Sequence, residues 1–151
     1  MAEWMPRDEW DRLYRGEDCP LCRPQPAADD YGVTIEYLPG GVLRLCRDQF
    51  SRGYCILISN EHGPEPHSIE RPADYFADVT RAGAAIEAAC GADKMNYLTL
   101  GNAIPHLHTH LIPRYYGDPE PGRPYLTGPD PVLLADEAEY EELAAAIRLK
   151  L

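Results

Sequence analysis

Three of the chain's five histidines fall within five residues, in His106-Leu107-His108-Thr109-His110, and two of its five cysteines form the pair Cys19-x-x-Cys22. Imidazoles and thiols at such intervals can attack, move protons or bind a metal. In an extended strand, side chains at i, i+2 and i+4 share one face, with α-carbons about 6.6 Å apart. The run therefore predicts a line of three imidazoles on a strand face, with Leu107, Thr109 and Leu111 turned toward a core. An imidazole with an ordinary pKa of about 6.5 can attack, donate or accept a proton at neutral pH. The Cys-x-x-Cys spacing suits half of a structural zinc site and also a thiol redox pair. The redox version normally opens a helix after a strand. Here the pair follows a short helical pattern and Gly16 and precedes Pro24 and Pro26, so structural zinc fits better. By spacing alone, His62 and His67 are the nominees for the remaining two ligands.

The histidine run admits two further chemistries beside a plain polar stripe. His-x-His can place two imidazoles on one catalytic metal, with a third His or a carboxylate completing the site. Yet residues 94–117 contain no Asp or Glu, in a chain with 25 acidic and 14 basic side chains and a formal charge of -11. That absence favours a nucleophilic imidazole with a neighbouring proton donor, acting on an anionic phosphate. Lys94, Arg114, backbone amides near Gly101 and Asn102, and the imidazoles His106, His108 and His110 would together form a local anion site. Eight acids follow between residues 118 and 142. The net charge argues against a nucleic acid or an anionic membrane as partner.

The surrounding secondary structure reads as α+β. At 151 residues the chain fits one domain, 1–151, with a helix and the Cys-x-x-Cys segment over 1–31 and a Pro-rich loop and last helix over 117–151. Periodicity and stop signals predict helices over 6–15, 72–90 and 135–149, the last capped by Asp136. Strands are expected over 33–38, 42–46, 53–59, 96–100 and 107–112, the first two forming a hairpin about Pro39-Gly40-Gly41. Strands and helices do not alternate one for one, which favours an antiparallel sheet of about five strands. The N-terminus carries acid and no apolar run, unlike a secretory leader, and no stretch of about 18 apolar residues occurs. Cys46, Cys55 and Cys90 sit among apolar residues as core thiols, and an odd cysteine count suits a reducing cytoplasm.

His106 to Ile112 resembles the signature of the histidine triad (HIT) family, His-φ-His-φ-His-φ-φ with φ apolar, departing from it only at Thr109. The wider stretch from Met95 through Gly101-Asn102 to Arg114-Tyr115 is similar to the bacterial branch compared with diadenosine polyphosphate hydrolases. Gly53-Tyr54 with its apolar strand, and His62, match the family's layout over roughly residues 17–116.

That resemblance implies a HIT-like fold, a homodimer joined through its sheets, and chemistry at the α-phosphate of a purine nucleotide derivative. His108 would be the nucleophile that forms a nucleotidyl-histidine, and His110 would supply or take a proton near the leaving oxygen. Asn102 and Asn96 would lie near the phosphates. No catalytic metal is required. The zinc ligands implied are Cys19, Cys22, His62 and His106, with His67 in reserve. A nucleoside phosphoramidase, or a nucleotide-binding module with little turnover acting through protein contacts, is the alternative.

Overall fold

Alternating apolar residues build the sheet, and one face of it makes the core. The computed structural model describes residues 3–125, 128 and 130–151. Its strands are β1 Gly32–Tyr37, β2 Gly41–Cys46, β3 Cys55–Ser59, β4 Lys94–Leu98 and β5 His108–Arg114. They form one antiparallel sheet in the order β1-β2-β3-β5-β4. The helices are α1 Arg7–Tyr14, α2 Pro72–Cys90 and α3 Glu137–Arg148. The expected five strands and three helices are thus all present, with boundaries displaced by up to about two residues. Within the Pro-rich loop, Leu126, Thr127 and Pro129 lie outside the described residues, as do Met1 and Ala2 at the N-terminus.

Leu43, Leu45, Cys55, Leu57 and Leu111 project from the covered face onto α2 and α3. There they meet Tyr75, Val79, Ala82 and Ile86 of α2 and Tyr140, Leu143, Ala144 and Ile147 of α3, all buried. This apolar burial is the main stabilising term. Gly91, at φ 65°, ends α2 in the left-handed conformation, and the Asp136 carboxylate caps α3 by accepting from the Glu139 amide at 3.0 Å. Gly40 lets the β1–β2 turn press against α2. A Cβ there would stand 2.6 Å from the Tyr75 backbone, and the Gly40 amide donates to buried Asp78 at 2.6 Å.

Of the three apolar cysteines, Cys55 is fully buried while Cys46 and Cys90 are half-buried. By contrast α1 buries none of its residues, and its Trp10 and Tyr14 rings pack on each other with centroids 4.9 Å apart. No helix among the described residues is long and apolar enough to cross a membrane.

The register sets the other face. His108 lies opposite Ile58 and His110 opposite Ile56 on β3; Leu98, Asn96 and Lys94 of β4 stand opposite His110, Ile112 and Arg114. His108, His110, Ile112 and Arg114 therefore share the face turned away from α2 and α3.

Candidate active site

Two of the three triad imidazoles line that face; the third does not. β5 begins at His108, so His106 precedes the strand, where its ring is only 1% exposed. The expected line of three is thus a pair plus one. Outside the ladder the backbone of His106 bonds locally, its amide donating to the Ile104 carbonyl at 2.8 Å, and its side chain turns into a separate cluster.

His108 and His110 stand with ring centroids 5.2 Å apart. His108 Nδ1 is 2.7 Å from the His106 carbonyl oxygen. A carbonyl can only accept, so Nδ1 carries the proton and Nε2 keeps its lone pair free for attack. Burial lowers the pKa of His108 and takes that of His110 to about 4, the latter also opposed by its neighbour His108. Both rings are therefore neutral at pH 7, as a nucleophile must be.

His110 Nδ1 meets the Tyr54 hydroxyl at 2.6 Å. In the sequence Tyr54 stands out only as part of an apolar run and of the Gly53-Tyr54 match to the family's layout. The clue to its part lies in the pairing of β3 with β5, which brings the start of one strand beside the middle of the other.

The departure at Thr109 has a structural cause. Its hydroxyl lies 2.8 Å from the Tyr75 hydroxyl and 2.9 Å from that of Thr99, forming a buried chain that also reaches the Leu57 carbonyl. This network anchors the end of β4 and the loop that follows it to the back of the histidine strand.

Arg114 and Asn96 occupy the same face farther along. At about 3.3 Å per residue, Arg114 lies about 13 Å beyond His110. Asp118 grips the guanidinium with bonds of 2.6 and 2.7 Å, and Asn96 Oδ1 accepts another at 3.0 Å. The carbonyls of Pro119 and Glu120 take two more. Arg114 is thus not the free cation that the acid-free stretch suggested, because the first acid beyond that stretch folds back onto it. It lies 5.3 Å from the Tyr125 ring centre, and a Tyr125–Phe50–Tyr54 aromatic series leads back to His110. Lys94 stands opposite Arg114, at the same far end of the strand pair. Asn102 is exposed on the loop before His106.

Cys19, Cys22, His62 and His106 form the second cluster, with one ligand atom of each within 4.8 Å of all the others. The His62 and His106 Nδ1 atoms are 3.3 Å apart, and the sulfur–nitrogen separations are 3.3, 3.5 and 3.6 Å. A tetrahedral zinc with usual bond lengths needs about 3.3 Å between nitrogens and about 3.6 Å between nitrogen and sulfur.

The outer nitrogens agree with this. His106 Nε2 lies 2.9 Å from the Ser59 carbonyl and His62 Nε2 3.1 Å from that of Tyr14, so both Nδ1 lone pairs face inward. Burial and the adjacent Cys19 thiol push the Cys22 pKa up to about 11, a rise that a bound cation would reverse by favouring the thiolate. His67 sits exposed on the 3-10 turn Pro66–Ser68, outside the cluster. Of the two pairs considered, His62 with His106 is the one brought to the cysteines.

A family model described as the HIT domain matches residues 34–117, more than half of the chain. The chain belongs to the HIT domain family. Its members are generally nucleotide-binding proteins and hydrolases. A histidine triad protein from Sinorhizobium meliloti is 28% identical, with a TM-score of 0.69 over 80% of this chain and 90% of that one. One from Bradyrhizobium japonicum has a TM-score of 0.72 at 24% identity, covering 87% and 98%. A zinc-bound HIT family protein from Mycobacterium smegmatis shares the fold with a TM-score of 0.58 at 20% identity, over 91% and 90%. No curated protein matches the chain. The HIT match includes His62 and the whole triad; Cys19 and Cys22 lie before it.

Proposed function

We propose that this HIT protein is a nucleotide hydrolase or nucleotidyl transferase acting at the α-phosphate of a purine nucleotide derivative, with dinucleoside polyphosphates as the favoured class. The observation that carries this is the tautomer of His108, whose Nδ1–H is taken by the His106 carbonyl at 2.7 Å. Nε2 attacks the α-phosphorus in line, a P–N bond forms, and the P–O bond to the leaving group breaks with its electron pair going to oxygen. His110 stands beside that oxygen and supplies its proton. Water or another acceptor then attacks the phosphorus, His110 takes the proton released, and the P–N electrons return to His108.

Residues 94–117 contribute no carboxylate to repel the phosphates, and Asn102 with the loop amides meets them. His106 serves the metal cluster, while Asn96 and Arg114 hold the wall beyond His110. Cys19, Cys22, His62 and His106 would hold a structural zinc that ties the N-terminal segment to the start of β5. The unpaired edge of β4, with half-exposed Tyr97 on it and exposed Leu100 just beyond it, suits pairing with a second copy. The odd number of cysteines suits a cytoplasmic location.

The test is a panel of adenylated and guanylated polyphosphates and phosphoramidates, with products identified. Release of nucleoside monophosphate from one class supports the proposal and names the substrate. Tight nucleotide binding with no turnover across the panel overturns it in favour of a binding module.

A further inference from the structure

Four histidine rings serve the two clusters, and three are held in one way. His62, His106 and His108 each point a ring nitrogen at a backbone carbonyl, that of Tyr14, Ser59 or His106, at 3.1, 2.9 and 2.7 Å. Such an acceptor fixes the proton on the bonded nitrogen permanently. His110 alone is held by a hydroxyl, that of Tyr54, at 2.6 Å. A phenol donates or accepts by rotating about one bond, so it can hold Nδ1 in either protonation state.

We infer that Tyr54 is the positioning residue that makes His110 the proton-handling partner of His108. The inference rests on the reaction proposed above. In the resting neutral ring Tyr54 donates to Nδ1 and keeps the proton on Nε2, facing the substrate. The ring gains a second proton from solvent on Nδ1, and Tyr54 turns to accept from it. Nε2 then gives its proton to the leaving oxygen as the P–O bond breaks. The Nε2 lone pair left behind takes the proton of the attacking water in the second half-reaction, and the Nδ1 proton then returns to solvent as Tyr54 turns back to donating, which restores the neutral ring. Nδ1 keeps its hydrogen bond throughout.

Tyr54 is built to stay in place. Its side chain is nearly buried, and its ring lies almost parallel to His110, 19° between planes at 5.9 Å. Phe50 packs on it edge-on at 4.8 Å. Its carbonyl accepts from the Cys46 amide at 3.1 Å and from buried Gln49 at 3.0 Å.

The test pairs imidazole 15N spectra of the whole protein with a leaving-group series, in wild type and Tyr54→Phe. In wild type at neutral pH, the neutral His110 is expected with its proton on Nε2 and His108 with its proton on Nδ1. Tyr54→Phe should shift the His110 tautomer and leave His108 unchanged. It should also lower kcat about tenfold for alcohol leaving groups, but less than about threefold for phosphate leaving groups, because only the former need a full proton. KM should hold. A wild-type His110 protonated on Nδ1, or an equal loss across all leaving groups, overturns the assignment to Tyr54. Absence of turnover by wild type on every substrate overturns the proposed reaction instead, and the tautomer pattern still decides what Tyr54 does to His110.

Discussion

The Cys/His cluster and the His108–His110 pair draw on one histidine run, and their difference teaches how neighbours assign roles to identical side chains. His106 and His108 are two residues apart and each gives one nitrogen to a carbonyl. In His106 the bonded nitrogen is Nε2, which aims Nδ1 at two thiols and His62. In His108 it is Nδ1, which aims Nε2 outward. Under the proposed function, which ring atom meets a carbonyl oxygen is what would make one a ligand and the other a nucleophile. The two regions should therefore fail in opposite ways.

The largest expected effect is on chemistry alone. His108→Ala should lower kcat by at least about a thousandfold, since the covalent route is lost, while the melting temperature and bound zinc stay at wild-type values. Turnover assays beside metal analysis check this. Removing the zinc proposed for the Cys/His cluster should do the reverse. Stripping zinc, or changing Cys22 to Ser, should cost about 4 kcal/mol and lower the melting temperature by about 8–16 °C in a chain of this size. Activity per folded molecule should fall less than in His108→Ala. A chelator that leaves the melting curve unchanged would dissolve the contrast between the regions.

Behind the pair, Thr109→Val removes the middle hydroxyl of the Tyr75–Thr109–Thr99 chain and leaves its neighbours partly unsatisfied. A loss of about 1–2 kcal/mol is expected in urea unfolding, with zinc retained. The smallest effect concerns pH. Burial lowers His110 from its ordinary value to about 4, so the unfolded chain binds the extra proton first. Its contribution is present above about pH 6.5 and is lost as pH falls toward 4. The melting temperature of His110→Asn should accordingly fall less steeply than that of wild type between pH 7 and pH 5.

Much of this was legible in the sequence because periodicity reports burial. Tyr75, Val79, Ala82 and Ile86 mark the core stripe of α2, and Gly91 and Asp136 mark helix ends. The cysteine pair and the triad carried their chemistry in residue type and spacing. What spacing could not reveal was long-range pairing. Strand alternation put His106 in line with its neighbours, because nothing local says that β5 starts two residues later. Arg114 looked like a free cation, because the fold-back of Asp118 is a loop property. Tyr54 stood out only through the Gly53-Tyr54 match to the family's layout, and its contact with His110 depends on the β3–β5 pairing.

The central claim is attack by His108, and trapping the intermediate tests it most directly. Wild-type protein mixed with a dinucleoside polyphosphate, quenched at an early time under conditions that preserve a P–N bond and digested, should yield a peptide carrying one nucleoside monophosphate on His108. No adduct during demonstrable turnover, or an adduct on another residue, would contradict the account.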